Sequence, residues 1–423
     1  MLKERLTSLD VFRGFTILLM TMVNNPGSWS FVYPQLEHAT WNGCTFADLV
    51  FPYFVFIVGA AIPFAMPEKI FDGATFAKIL VRSLRIICLG LTLNFFSWIN
   101  IFDLEGIPAL LFKTAFSLIM CYALMGNFSL TTKKYLVFAI LAFYLTLALS
   151  GLEGYQTTRL PGVLQRIGIV YFVTSLIYLT TNYKTQIAIA TLILLGYWAI
   201  MTLIPVPGIG AANLEIGTNF ASWLDSIVLK NHMYIETKTW DPEGFLSTLP
   251  TIGGCLIGSL IGQIINANFS KIEIVKKLLL IGIILTFIGY VWSYVFPINK
   301  SIWTSSFVVY TAGLGTITLT ILYYVIDIAN FKKWTKPFLF WGVNPMLVFF
   351  FSGLIPRIMF KIKFDNAEII GEQINIQTYI YNNGIAQFFT NPYNASFVGS
   401  LVYIVIWTFI LWIFFKNKLI FKV

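Results

Sequence analysis

Charge and titratable chemistry are scarce in this chain. Only 11% of its 423 residues are Asp, Glu, Lys or Arg, against roughly 25% in a soluble domain, which excludes a surface built to be solvated on every side. Histidine is rarer still, with two residues, His38 and His232. They are far apart and have no thiolate cluster beside them, so no metal site is expected. The four cysteines, Cys44, Cys88, Cys121 and Cys255, stand singly and mostly inside apolar runs, with no C-x-x-C spacing. They read as small buried hydrophobes. A G-x-S-x-G elbow and Gly-rich phosphate loops are absent too. The N-terminal apolar run is broken by Asp10 and Arg13 and is followed by no small-residue cleavage site, so it reads as a retained span rather than a signal peptide.

What is abundant is apolar surface. Hydrophobic residues make up 57% of the chain and the mean hydropathy is +0.78. Continuous apolar runs of about 20 residues, the length that crosses a hydrocarbon core, recur throughout. A helix satisfies its own backbone hydrogen bonds in lipid, and the runs do not alternate as barrel strands do. The fold expected is therefore all-α, a polytopic membrane helix bundle forming one integral-membrane unit over 1–423. Spans are placed at about 9–25, 44–66, 79–98, 107–126, 135–151, 161–180, 186–204, 246–266, 275–296, 304–326, 336–355 and 396–415. That makes about 12 transmembrane helices with both termini on one side. The net charge of +9 comes from basic residues scattered over short loops, which reads as a topology signal and not as nucleic-acid binding. Most of the 28 lysines and arginines, from Lys3 and Arg5 through Lys133 and Lys276 to Lys422, fall on the side of the termini. That side is the cytoplasmic one by the positive-inside rule. His38 and two long loops, near 205–245 and 356–395, are then non-cytoplasmic, and loops of that length are more often functional than short ones. A weak repeat relates the runs from Ile107 and Leu160, the pattern a duplicated helix pair would leave.

Charge inside a span costs roughly 3 kcal/mol, so each case asks for a reason. Arg13 on the first span, three residues from Asp10, and Arg82 and Arg85 on the third are expected at the cytoplasmic ends. They read either as an ion pair and snorkelling side chains or as a cationic mouth for a phosphorylated ligand. On the other face, Asn24 ends the first span; His38, Asn42 and Asp48 lead into the second; Gln165 and Arg166 open the sixth; Asp241 and Glu243 precede the eighth. Arg166 and Asp48 lie at similar depth, which allows a buried pair or structural glue. His38 has the chemistry of a general acid–base group near neutral pH, whereas His232 reads as a surface residue.

Seven blocks occur in order: "RLTSLDVFRGFTILLMTMVNN", "HATWNGCTFADLVFPYFVFIVGAAI", "RLPGVLQRIGIVYFV", "PVPG", "WDPEGFLSTLPTIGG", "NKSIWTSSFVVYTAG" and "FWGVNPMLVF". Together they resemble the heparan-α-glucosaminide N-acetyltransferase family and its bacterial relatives, through nearly the whole chain. Lysosomal members of that family move acetyl from cytosolic acetyl-CoA to a terminal glucosamine amine across the membrane. The resemblance implies an acetyl-CoA-dependent N-acetyltransferase with His38, before W-N-G, as catalytic histidine. It matches Asn24 to the family's asparagine, with the spacing to the histidine three residues longer here. An extra helix pair near 107–151 and the lack of a long N-terminal lumenal region depart from the lysosomal pattern.

With acetyl-CoA as co-substrate, His38, Asn24 and Asp48 are the expected catalytic group: His38 as base, Asn24 or Asn42 as oxyanion donor, and Asp48 as the acid that orients His38 where its depth on the helix allows contact. Arg13, Arg82 and Arg85 are expected to hold CoA phosphates. Asn42, Gln165, Arg166, Asp241 and Glu243 are expected to meet the acceptor. An acetyl-histidine intermediate is the other route. The expected partners are an amino sugar or glycan, the lipid bilayer and, as an open option, a second copy of the chain in a homodimer. The expected location is a bacterial inner membrane, with His38 facing the periplasm. Some bacterial relatives resemble permeases for N-acetylated amino sugars, which is the second reading.

Overall fold

The computed structural model describes residues 6–100, 102–365 and 373–421; Lys3, Arg5 and Lys422 lie outside the described residues. The helices run α1 (Thr7–Val23), α2 (Phe46–Ala65), α3 (Gly73–Phe95), α4 (Gly106–Met125), α5 (Leu130–Leu149), α6 (Val163–Thr180) and α7 (Tyr183–Leu203). After the short α8 (Phe220–Val228) come α9 (Thr248–Asn266), α10 (Lys271–Trp292) and α11 (Ser305–Leu322), which a π-helical turn extends through Ile328. The chain closes with α12 (Lys336–Val343), α13 (Pro345–Lys361), α14 (Ile376–Gly384) and α15 (Pro392–Lys416). Two short strands, β1 (Lys363–Asp365) and β2 (Gln373–Asn375), pair antiparallel between α13 and α14.

Each of the twelve expected spans has helix at its place. By length and apolarity nine helices among the described residues suffice to cross a membrane, ten if α12 and α13 form one bent span. The remaining two differ for visible reasons: α1 has 17 residues, and α3 carries Lys78, Arg82 and Arg85. The bend between α12 and α13 is 81°. It falls at Asn344, outside helical dihedrals, just before Pro345, whose ring disfavours helix in the preceding residue and whose nitrogen donates no hydrogen bond.

Burial separates inner from outer helices. The apolar stretches of α2 and α9 are each 72% buried, those of α5, α10 and α15 only 22%, as lipid-facing helices should be. Helices α2 and α9 pack in close contact. A side chain at Gly59 would meet the Cys255 carbonyl oxygen at 2.0 Å, and one at Gly258 would meet that of Phe56 at 2.2 Å. Small residues let backbones approach this closely where lipid supplies no hydrophobic drive. Phe12, Phe56, Phe95, Trp303, Trp341 and Phe350 fill the core between the helices.

On the face that carries His38, the segment between α7 and α9 is not a free loop. Ala221 and Leu246 from it pack with Tyr197, Met201, Phe296 and Ile302 in a small second core. Asn219 caps α8 through its side chain, accepting from the Ser222 amide. This packing holds the 205–245 region rigidly against the ends of the bundle.

Candidate active site

Three segments bring His38 to its place. The sequence Thr45-Phe-Ala-Asp48 forms a capping box at the start of α2, the threonine and the acid three residues on satisfying amides that a helix start leaves without partners. Asp48 Oδ2 accepts from the Thr45 amide at 3.0 Å and from the Ala39 amide at 3.1 Å. The second bond ties the incoming loop back onto the helix. Asp48 Oδ1 is thereby aimed at His38 Nδ1, 2.9 Å away. An ionised carboxylate only accepts, so Nδ1 carries a proton, and in the neutral ring the lone pair is then on Nε2. The expectation left the contact of Asp48 with His38 open; the structure makes it, with Asp48 buried and the histidine side chain half exposed.

The third segment went unnoticed in the sequence. Lys300, between α10 and α11, places Nζ 2.9 Å from both ring nitrogens of His38 and 3.5 Å from Asp48 Oδ1. Burial pulls its ammonium below the ordinary lysine value, against the attraction of Asp48 and Glu243. The one available signal was its position: a lysine on the face the positive-inside rule depletes, inside "NKSIWTSS". Burial, with the Asp48 carboxylate adding to it, pushes the nearby Cys44 thiol up to about 12, so Cys44 supplies no thiolate nucleophile.

These groups stand at a cavity of about 270 Å³. On α1 it is lined from Val23, next to Asn24, down to Thr16, seven residues and so about 10 Å along the helix. Phe51 and Phe54 of α2, Val163 and Ile167 of α6, Phe349 of α13 and Trp303 complete an apolar wall. Arg159, Tyr234 and Glu243 add polar side chains to the lining. Arg159 is a second residue that sequence reasoning left without a role. It donates to Asp241 through Nε at 2.9 Å and Nη2 at 2.5 Å, also to Glu243, and its guanidinium stacks over Tyr234 at 4.7 Å. Burial alone would lower its pKa, but Glu243 and Asp241 carry it above the ordinary arginine value.

The other expected site residues separate. Asn24 and Glu243 line the cavity. Asp241 does not; buried, it accepts from Arg159 and from the amides of Tyr234 and Glu243 and so braces the cavity wall. Asn42 accepts from Asn299 at 3.2 Å and ties two loops together. Gln165 is buried against Gly90 of α3 and donates to the Leu160 carbonyl. Arg166, buried, donates to Ser247 and to the Gly244 carbonyl, over the Trp303 ring. Of the two readings of Arg166, a pair with Asp48 or structural glue, its contacts match the second, since the partners of Asp48 are His38, Lys300 and the amides of Ala39 and Thr45. His232 is not a bare surface residue: its Nδ1 lies 2.8 Å from the Thr158 carbonyl, tying the 205–245 region to the α5–α6 connection.

The three arginines expected at the other end of the bundle have different surroundings. Arg13 pairs with Asp10 at 2.9 Å. Arg82 is exposed, over Tyr171. Arg85, also expected to hold CoA phosphates, is buried and donates to the Leu124 carbonyl of α4.

An apolar helix bundle with a histidine–carboxylate pair lining a cavity between its helices defines a polytopic integral-membrane protein. The comparisons with known proteins narrow this. Residues 5–204 match the family described as "Domain of unknown function (DUF5009)". The chain is 28% identical over 406 residues to the human heparan-alpha-glucosaminide N-acetyltransferase, covering 82% of this chain and 52% of the relative. It is 24% identical over 478 residues to the mouse protein of the same name, covering 99% and 61% respectively. The chain thus spans between half and two thirds of the length of the curated relatives it matches. It is homologous to heparan-α-glucosaminide N-acetyltransferase over most of its own length.

Proposed function

We propose that this protein is a transmembrane acetyltransferase that moves acetyl from acetyl-CoA, supplied at the face of the termini, to the amine of a glucosamine-type sugar on the His38 face. The observation that carries the reading is the Asp48–His38 contact at the mouth of the cavity, together with the homology to N-acetyltransferases.

An amine attacks a thioester carbonyl only when it is unprotonated. His38 Nε2 takes that proton, and Asp48 holds Nδ1–H so that the lone pair stays on the reacting side. The tetrahedral intermediate carries its charge on oxygen. Asn24, at the end of α1 and lining the cavity, supplies an amide donor to it, and such donors act most strongly where water is excluded. The apolar wall of Phe51, Phe54 and Trp303 provides that exclusion. Glu243 and Arg159 present polar atoms to the sugar hydroxyls. Arg82, with Arg13, would receive CoA phosphates, and the pantetheine arm would pass inward to the cavity floor at Thr16.

The test is transfer itself. Purified protein given labelled acetyl-CoA and glucosamine should form N-acetylglucosamine, with His38→Ala slower by about 10²–10⁴ and His232→Ala near wild type. Proteoliposomes that accumulate N-acetylglucosamine while the purified protein transfers no acetyl would replace this reading with a permease.

A further inference from the structure

The primary amine nearest His38 is the protein's own. Lys300 Nζ sits 2.9 Å from His38 Nε2 and 3.5 Å from Asp48 Oδ1, in the wall of the same cavity as Asn24. A sugar amine that uses His38 as its base has to take up this same place, because a base must lie within hydrogen-bond reach of the proton it removes. We propose that Lys300 is a self-acetylation site: without an amino sugar, the acetyl group of the thioester passes to Nζ, and the N-acetyl-lysine formed shuts the site. This inference rests on the acetyl-transfer reading above.

The step balances with the acetyl thioester as the only co-reactant. His38 Nε2 takes one proton from the Lys300 ammonium, and the freed nitrogen lone pair attacks the thioester carbonyl carbon. The C–N bond forms and the C–S bond breaks. The leaving thiolate takes a second proton from the nitrogen and departs as CoA thiol, while His38 passes its proton to water. Burial, which lowers the pKa of Lys300, makes the neutral amine easier to reach than at an exposed lysine. The amine is also already in place, so the step carries no cost of bringing two molecules together. The product is neutral, loses its attraction to Asp48, and puts an acetyl group where the acceptor amine belongs. A sugar amine at His38 would displace Lys300 and protect it.

The experiment incubates the detergent-purified full-length chain with isotopically labelled acetyl-CoA and no sugar, then reads acetylation of each lysine by peptide mass spectrometry. Label is expected at Lys300 at least about 10²-fold faster than at Lys113 or Lys361, the range a positioned base supplies. It should fall to the level of those two lysines in His38→Ala and in His38→Gln, each checked for monodisperse elution, and it should be suppressed by added glucosamine. Transfer to glucosamine with Lys300 labelled no faster than Lys113 overturns the inference and leaves the enzyme reading standing. Label at neither glucosamine nor Lys300 sinks both. Lys300 labelling at full rate in both His38 variants overturns the part assigned to the base.

Discussion

Asp48 serves two structures at once, and Asp48→Asn separates them. As the third residue of α2 it closes the capping box with Thr45, and through its other oxygen it receives His38 Nδ1–H at 2.9 Å. Asparagine keeps one carbonyl oxygen, enough to accept from the Thr45 and Ala39 amides. Its NH₂ then faces His38 and donates where the carboxylate accepted. The ring responds by moving its proton to Nε2, which removes the lone pair that would deprotonate the acceptor. A wrong tautomer of this kind costs about 10²–10⁴ in kcat, with the substrate contacts and so KM nearly unchanged. The control is Thr45→Ala. It removes the hydroxyl that lies 2.6 Å from the Glu37 carbonyl and 3.1 Å from Asp48 Oδ2 but keeps the Asp48 carboxylate, with its amide bonds and its contact with His38. It should cost about 0.5–2 kcal/mol in stability and little in rate. Initial rates of acetyl transfer to glucosamine and thermal unfolding of the same samples decide the matter. If Asp48→Asn transfers acetyl within about threefold of wild type, well short of the loss a wrong tautomer brings, Asp48 is a helix cap and nothing more.

Three further outcomes are expected. Arg159→Met leaves the buried Asp241 and the part-buried Glu243 without their cation; breaking such a network costs about 3–5 kcal/mol, so melting should fall sharply, and Asp241→Asn combined with it should restore part of the loss. Asp225 is held up to about 6 by burial, against the amides of Phe245 and Asp241. A raised carboxyl stabilises the fold below its unfolded pKa, and that stability is lost as pH rises through 6. The change is on the order of 3 kcal/mol at roughly 1.4 kcal/mol per unit. Asp225→Asn should therefore flatten the melting curve between pH 4 and 7, and an unchanged slope would refute the assignment. For topology, Glu37→Cys in a background without the four native cysteines should react with an impermeant thiol reagent from the periplasmic side. Labelling only from the cytoplasm would reverse the orientation argued from the basic residues.

The bundle was legible without coordinates because a helix in lipid needs only length and apolarity, both local properties that continuous runs record directly. His38 was legible through rarity, and Asp48 through the cost of an acid at the head of a span. Depth along each helix was legible too, since it follows from counting residues. Rotation about the helix axis was not. Val163 and Ile167 line the cavity while Gln165 and Arg166, on the same turn of α6, point into the packing with α3 and α9. Each residue advances about 100°, so only the neighbouring helices decide which of them faces inward. Lys300 meets His38 across 262 residues, and Arg159 meets Asp241 across 82. No local pattern encodes either pair. Those partnerships exist because the packing of α2 on α9 and of α10 on α11 brings distant loops to one end of the bundle, where buried charges must find each other or be left uncompensated.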